Sequence, residues 1–226
     1  MSAYIQEETT INQPKYVHIK GLFDKTKKSK NLLNRMKKFA SLNSGNPEQE
    51  SDVVSSESFQ IHNGELHKVR SFDGKLMKLG KNKKSTEKFV NMLIAFAKDK
   101  LKTNNFPILE DEFDFIVECW SYNSTGETTI ETTLAIHIDD EGAINKNVET
   151  CIIYTEKSKD IEGGNLTIYK DGEGKYAYDK LEELEIETGD VVLMSGNLPH
   201  QPTDVEGNGV RNCIVIQIQS KRVNLN

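Results

Sequence analysis

The second half of the chain contains eight short runs of β-branched, aromatic and aliphatic residues, and these runs constrain the fold more than any other feature. Glycine-containing turn sequences separate most of them at short intervals. The runs cover residues 113–122, 132–138, 150–155, 165–169, 175–178, 184–187, 191–194 and 210–219. Many short strands with turns at this spacing are typical of a β-sandwich or a jelly-roll barrel.

The first half of the chain has a different pattern. Apolar residues recur at helical spacing over residues 30–42 and again over 85–102, which predicts two helices. Asn-Gly at 63–64 and Asp-Gly at 73–74 each separate two β-rich stretches and predict two β-hairpins. Residues 16–23 favour a short strand.

The 226 residues are best divided into a tail and one domain. Residues 1–14 show no periodicity and predict a flexible tail, and residues 15–226 predict a single domain. Within this domain we expect a helical support over residues 15–112 and a jelly-roll core over 113–220. Residues 43–58 are rich in Ser, Glu and Asn and predict a disordered loop. The expected fold class is α+β, with a double-stranded β-helix core.

Charge is divided unevenly along the chain, whose net charge is −6. Residues 1–102 contain 20 Lys and Arg against 11 Asp and Glu, whereas residues 103–226 contain 9 against 24. The basic half is either an arm for an acidic partner or a solvated, lysine-rich surface. The acidic half repels phosphates, which disfavours binding of nucleic acid over the whole surface.

Several features favour a cytoplasmic location. No stretch approaches the ~18 apolar residues of a membrane helix, so we expect no membrane partner. The first residues lack the basic and apolar regions of a secretory signal. Cys119, Cys151 and Cys213 lie within apolar runs and predict buried free thiols.

One short motif is a candidate for metal binding. His137 and Asp139 are two positions apart in a β-rich run, and side chains at i and i+2 of a strand face the same side. Alone, this pair could be a histidine beside an acidic turn. His200 lies downstream, in GNLPH, and two histidines with one carboxylate form the arrangement of non-haem Fe(II) sites.

Arg211 is a candidate for binding an anion, because it begins a strand whose sequence otherwise has the apolar pattern of a core strand. A buried charge without a partner costs several kcal/mol, so a carboxylate must meet it. A bound dicarboxylate fits this requirement, and so does an internal salt bridge to the acidic half of the chain.

Taken together, these elements resemble the Fe(II)/2-oxoglutarate-dependent dioxygenases, and they are most similar to the prolyl-hydroxylase-like branch. The resemblance covers residues 113–219, about half of the chain. The matching elements, in order, are His137-x-Asp139, TCIIY at 150–154, GGNLTIY at 163–169, ETGDVVLMSGNLPH at 187–200, and Arg211. The resemblance implies a double-stranded β-helix core that packs against N-terminal helices.

The resemblance also implies roles for individual residues. The implied Fe(II) ligands are His137, Asp139 and His200. Arg211 would bind the distal carboxylate of 2-oxoglutarate, and Tyr154 and Tyr122 match tyrosines that line the same pocket. Packing in the core is the alternative for both tyrosines, and Tyr122 lies further from the His-x-Asp motif than is usual in the family. O2 is the second co-substrate, and ascorbate is a candidate reductant.

The implied activity is hydroxylation of a protein or peptide side chain, with proline as the leading target. Collagen-type prolyl hydroxylases usually carry Lys where this chain has Arg211, so the target is not fixed by the resemblance. Gln217 lies on the same strand face as Arg211 and is a candidate for contacting substrate or water.

Substrate selection is expected in the variable parts of the chain. The candidates are the hairpin segment 59–80 and the loop 140–148. A basic stretch between Lys75 and Lys88 either lines the mouth of the cleft or forms a solvated face. Two alternatives to protein hydroxylation stay open: a nucleic-acid demethylase or hydroxylase of the same superfamily, and a non-catalytic jelly-roll binding module.

Overall fold

Two antiparallel β-sheets pack against each other, and two helices cover the outer side of the larger sheet. The computed structural model describes residues 15–43, 54–62, 65–70, 76–77, 79, 83–108, 113–125, 135–140, 146–171 and 177–221. The helices are α1 (Lys27–Asn43) and α2 (Lys83–Thr103).

In the larger sheet, called here the major sheet, many neighbouring strands are not consecutive in the sequence. The order is β1 (Tyr16–Ile19), β10 (Val191–Ser195), β6 (Lys146–Lys157), β12 (Val205–Lys221), β5 (Phe113–Thr125), β2 (Val54–His62), β3 (Glu65–Arg70) and β4 (Leu76–Met77). A short strand, β7 (Ile161–Gly163), pairs with the first residues of β12. The minor sheet has the order β11 (His200–Pro202), β8 (Leu166–Asp171) and β9 (Tyr178–Leu184).

Alternation along β12 separates two apolar cores. Ile214, Ile216 and Ile218 face the helices and belong to the outer core. Cys213 and Val215 face the other way and pack with residues of the minor sheet. The period of two along a strand therefore places one set of side chains under the helices and the other set between the sheets.

Both helices bury one amphipathic stripe against the major sheet. In α1 the buried residues are Leu33, Met36 and Ala40, which follow one another at helical spacing. Thr26 caps this helix, because its hydroxyl oxygen accepts the Ser29 N–H at 3.0 Å. The buried residues of α2 are Val90, Leu93, Ile94, Ala97 and Leu101. Among the described residues, neither helix combines the length and apolarity that crossing a bilayer requires.

The predicted fold class is confirmed, with a jelly-roll-type core and two supporting helices. Both predicted hairpins are also found, since β2 pairs with β3 and β3 pairs with β4. The three cysteines are free and buried, as expected. The division into a tail and a single domain stays a prediction, and the tail, residues 1–14, lies outside the described residues.

Three predicted elements differ from the structure. The strand predicted at 184–187 is wrong, because only Leu184 lies in a strand, as the last residue of β9. Of the strand predicted at 175–178, residues 175–176 lie outside the described residues, and only Tyr178 lies in a strand, as the first residue of β9. This strand lies at the edge of the minor sheet with exposed Lys and Glu side chains, so it lacks the apolar alternation that marks a strand in sequence. The loop predicted at 43–58 ends early, since β2 begins at Val54; residues 44–53 lie outside the described residues.

Several short strands also differ between the sequence prediction and the structure. Of the strand predicted at 132–138, residues 132–134 lie outside the described part, and the rest forms one isolated bridge at His137. The sequence pattern missed β7 and β11 because each has only three residues. The strand predicted at 16–23 is shorter in the structure, because β1 ends at Ile19 and a turn occupies residues 20–23.

A buried carboxylate joins the N-terminal strand to the major sheet. Asp190, with a side chain only 3% exposed, lies 2.9 Å from His18 Nε2. It also accepts the backbone N–H groups of Gly21, at 2.8 Å, and Glu187, at 3.1 Å. One side chain therefore satisfies donors from the N-terminal segment and from the turn that precedes β10.

Replacing this carboxylate is expected to destabilise the protein. Asp190→Ala should lower the free energy of unfolding by about 3 kcal/mol, because several buried donors lose a charged acceptor. Denaturant unfolding monitored by circular dichroism measures the effect. Asp99→Ala is the control, since that side chain is 66% exposed, and it should change stability by less than ~0.5 kcal/mol. Equal stability of the two variants would contradict this account of Asp190.

Glu149 on β6 predicts a pH dependence of stability. The residue is 5% exposed, and among the described residues its Oε2 atom has no hydrogen-bond partner. Burial raises its pKa to about 8, Lys15 lowers it and Asp140 raises it. The folded state therefore keeps a proton that the unfolded chain releases at lower pH, and stability should fall as pH rises from about 4.5 to about 8.

Glu149→Gln should remove this part of the pH dependence and stabilise the protein at pH 8. The slope that it removes is at most ~1.4 kcal/mol per pH unit. Urea unfolding at several pH values measures it. Glu87→Gln on α2, where Glu87 lies 3.8 Å from Lys83, should retain the slope of the wild type. A slope that persists in Glu149→Gln would show that another group is responsible.

Candidate functional site

Backbone pairing brings two histidines together from distant parts of the sequence. His137 and His200 form an isolated β-bridge, in which each N–H donates to the other residue's carbonyl at 3.1 and 3.0 Å. Their ring centroids are 4.3 Å apart. His200 begins β11, so this bridge attaches residues 135–140 to the minor sheet.

Asp139 completes the cluster from the side of the major sheet. Its Oδ2 atom accepts a hydrogen bond from the hydroxyl of Thr150 on β6. Its Oδ1 atom lies 4.0 Å from His137 Nε2 and 3.9 Å from His200 Nε2. One ligand atom from each of the three residues lies within 4.8 Å of the others. The predicted triad is therefore a compact group of three donors.

The turn before His200 has to contain glycine. Gly196 accepts the N–H of Asp139 at 2.7 Å, and its own N–H donates to Val148 at 2.7 Å. A Cβ atom on Gly196 would lie 2.6 Å from the Cβ of Val148. The glycine thus permits the close approach that positions Asp139.

Hydrogen bonds orient both imidazoles. His137 Nδ1 lies 3.0 Å from the Ala135 carbonyl oxygen, and His200 Nδ1 lies 2.9 Å from that of Leu198. A carbonyl can only accept, so each Nδ1 carries the proton and each Nε2 presents its lone pair. Burial also lowers the pKa of His200 and favours the neutral ring. Two neutral imidazoles and one carboxylate fit a divalent transition metal such as Fe(II).

Arg211 lies in the same space between the sheets and is 3% exposed. Its Nε donates to the Gly164 carbonyl at 2.7 Å. The guanidinium carbon is 5.0 Å from the ring centroids of both Tyr122 and Tyr154. Among the residues that the structure describes, no carboxylate lies within ion-pair distance of this guanidinium. The internal salt bridge that the sequence left open is therefore not found in this part of the chain.

The Gly-Gly turn makes room for the arginine. Gly164 has a φ of +62°, and a Cβ atom there would lie 2.7 Å from the Cδ of Arg211. Gly163 has a φ of +69°, and its Cβ would lie 2.1 Å from the carbonyl oxygen of Asp204. Both positions exclude larger residues, and the buried Gly164 carbonyl accepts the hydrogen bond from Arg211 Nε.

One cavity of about 280 Å³ joins the triad to Arg211. The seven residues that the sequence predicts for the site all line its wall: the three donors of the triad, Arg211, Tyr122, Tyr154 and Gln217. Burial raises the pKa of Tyr154, which keeps its hydroxyl protonated and able to donate. The cavity thus has a metal-binding group of donors, a buried cation and a neutral phenol.

The cavity wall also contains residues that the sequence reasoning missed. Glu118, Trp120 and Cys213 line it. A usable signal existed, because Glu118 and Trp120 alternate with period two from Tyr122 on β5. Strand alternation alone could have placed them on the inner face.

The expected substrate determinants lie elsewhere in the described structure. β2 and β3, from segment 59–80, extend the major sheet beyond β5, and none of their described residues lines the cavity. Lys83, Lys84 and Lys88 belong to α2, on the outer side of this sheet. The other members of the basic stretch, Lys75, Lys78 and Lys81, lie outside the described residues, as do residues 141–145 of the loop at 140–148.

Solved structures show the same fold at low sequence identity. IDO from Bacillus thuringiensis superposes with a TM-score of 0.56 and 12% identity, over 92% of this chain and 93% of that one. An oxidoreductase of the 2OG-Fe(II) oxygenase family from Burkholderia pseudomallei gives 0.57 and 14%, over 91% and 84%. A bsmA homolog from Methylobium petroleophilum PM1 gives 0.53 and 11%, over 84% and 82%. No protein-family model and no curated protein matches the sequence.

The contact from Thr150 to Asp139 predicts a measurable effect on metal binding. Thr150→Val removes the hydroxyl that orients the carboxylate and should weaken binding of a divalent metal about 10–100-fold. Anaerobic titration with Co(II), followed by its visible absorption, measures the affinity. Thr150→Ser keeps the hydroxyl and should bind nearly as well as the wild type. Unchanged affinity in Thr150→Val would contradict the orienting role.

Proposed function

We propose that the protein is an Fe(II)- and 2-oxoglutarate-dependent dioxygenase. The observation that carries this proposal is the buried Arg211, without a carboxylate partner among the described residues, in the same cavity as His137, Asp139 and His200. The fold supports it, since one of the structures with the same fold is described as a member of the 2OG-Fe(II) oxygenase family.

The positions of the residues along the strands suit a linear dicarboxylate. Asp139 bonds to Thr150, four residues along β6 from Tyr154, whose partner on β12 is Cys213. Four strand residues span roughly 13 Å, which a five-carbon acid and the long arginine side chain can bridge together. Arg211 would bind the distal carboxylate, and Tyr154 would donate its hydroxyl to the same group.

Each residue of the chain has a defined part in this proposal. The triad would hold Fe(II), which when bound supplies the oxidising chemistry that couples 2-oxoglutarate decarboxylation by O2 to hydroxylation of a C–H bond. Thr150 fixes the carboxylate of Asp139, and the Gly164 carbonyl fixes Nε of Arg211. The apolar core between the sheets excludes water and strengthens the pairing of Arg211 with an anion.

The proposed substrate is a protein or peptide side chain, with a prolyl residue as the first target to test. A nucleic-acid demethylase is less well supported, because the cavity wall contains no described lysine and two carboxylates, Glu118 and Asp139. Ascorbate as reductant and a cytoplasmic location stay predictions. A non-catalytic jelly-roll binding module is the remaining alternative, and turnover distinguishes it.

Turnover of 2-oxoglutarate to succinate tests the proposal. Wild-type protein with Fe(II), O2 and ascorbate should form succinate slowly even without substrate, and His200→Ala should form none. Arg211→Gln should raise the KM for 2-oxoglutarate about 100-fold, because a buried charge-assisted contact is lost. Arg211→Lys should recover part of this loss, since it restores the charge without the planar fork.

Arg35→Gln is the matched control, because Arg35 lies on α1, over the ring of Phe89 and outside the cavity. It should leave the KM unchanged. Wild-type protein that binds iron but never forms succinate would favour the binding-module alternative. Equal KM values in Arg211→Gln and the wild type would contradict the role of Arg211.

A further inference from the structure

We propose that the substrate of this cavity carries an ammonium group on an aliphatic chain, and that Glu118 binds this group beside the metal ligands. The inference rests on the proposed function for the reaction itself. It replaces the prolyl residue as the expected target with a cationic substrate class, and it arises from a carboxylate that the dioxygenase chemistry does not use.

Glu118 lies on the inner face of β5 and lines the cavity. It is paired in register with Val215 of β12, four residues beyond Arg211, which is paired with Tyr122. The spacing places Glu118 roughly 13 Å along the sheet from the arginine level. The carboxylate is therefore well separated from the arginine end and lies towards the end that holds the triad.

No cation accounts for this carboxylate in the described structure. Its Oε2 atom accepts the indole N–H of Trp120 at 3.1 Å. Among the described residues, no Lys, Arg or His nitrogen lies within ion-pair distance of Glu118. A half-buried carboxylate with one neutral donor is incompletely compensated, and a cation in the cavity would compensate it.

The electrostatic surroundings agree with this assignment. Burial raises the pKa of Glu118 above its usual value, although the hydrogen bond from Trp120 lowers it; among the nearby charges, Asp139 raises this pKa and His137 lowers it. A bound ammonium group would act in the opposite direction, because an opposite charge favours the ionised form. The carboxylate would therefore stabilise a bound cation electrostatically, and it would not stabilise a neutral ligand in this way.

Fe(II) is the one cation among the other proposed occupants of the cavity, and it would be held by His137, Asp139 and His200, a cluster that does not include Glu118. 2-Oxoglutarate is an anion and would pair with Arg211. The metal would take Asp139, whose second oxygen is held by Thr150. The substrate is the remaining occupant, and Val215 and Trp120 offer an apolar wall for its carbon chain.

The size and charge of the cavity narrow the substrate class further. A volume of about 280 Å³ has to accommodate the co-substrate and the reacting group together, so the part that enters is small. An internal prolyl residue carries no positive charge, and a nucleotide carries a negative one. An aliphatic ammonium fits, and it comes either from a free amine or from a lysyl side chain in a peptide.

The single tryptophan of the chain provides a direct measurement. Trp120 is the only Trp among the 226 residues, and its indole N–H contacts Glu118, so its fluorescence reports on this site. The probes are n-butylammonium and its neutral isostere 1-butanol. They are titrated into protein loaded anaerobically with Fe(II) and 2-oxoglutarate, and again into metal-free protein.

The wild type should bind n-butylammonium at least about 10-fold more tightly than 1-butanol, because the cation pairs with a desolvated carboxylate. Glu118→Gln should abolish this preference. Glu87→Gln removes the same charge on α2, outside the cavity, and should retain it. Equal affinities in the wild type, or a preference that survives in Glu118→Gln, would overturn the proposal.

Two peptides then identify the source of the amine. An acetylated, amidated tripeptide with a central lysine is compared with its norleucine analogue. Tighter binding of the lysine peptide than of norleucine supports a lysyl side chain, and tight binding of butylammonium alone supports a free amine. Equal binding of all four probes contradicts both. Failure of the proposed function is detected separately, as absence of succinate formation, because these binding measurements need no turnover.

Discussion

Arg211 places a positive charge between two β-sheets, where its neighbours include Tyr122, Tyr154 and the Gly164 carbonyl and where no carboxylate of the described residues pairs with it. An arrangement of this kind costs several kcal/mol in the absence of an anion. The surrounding structure keeps it in place, because the left-handed Gly-Gly turn leaves space for the side chain and supplies an acceptor for Nε. The site is therefore suited to an anion, and the proposed function assigns to it the distal carboxylate of a linear dicarboxylate.

The triad depends on the packing of the two sheets. His200 belongs to the minor sheet, and Asp139 is held by Thr150 of the major sheet. The His137–His200 bridge joins the two, so the donors come together only in the folded core. The helices take no part in the cavity wall and instead support the outer face of the major sheet. Stability and function are thus assigned to opposite faces of the same strands.

Local rules predicted much of this arrangement from the sequence. The period of two on β12 placed Arg211 and Gln217 on one face, and the GG and GNLPH turns have steric reasons that the structure shows at Gly164 and Gly196. The failures come from interactions that a local pattern does not encode. β9 is an exposed edge strand held by pairing with β8, and its charged residues give no strand signal. Glu118 is different, because its alternation with Tyr122 on β5 places it on the inner face, but only the position of β5 in the middle of the sheet shows that this face lines a cavity.

The central claim is that a metal and a dicarboxylate occupy one cavity together. Its most direct test is an anaerobic titration of the purified protein with Fe(II) and then with 2-oxoglutarate, followed by visible absorption. The account predicts a charge-transfer band that appears only when both are present, reaches one equivalent of each per chain, and is displaced by a competing dicarboxylate. Fe(II) binding without any band on addition of 2-oxoglutarate would contradict the account, because the metal and the anion would then not share the cavity.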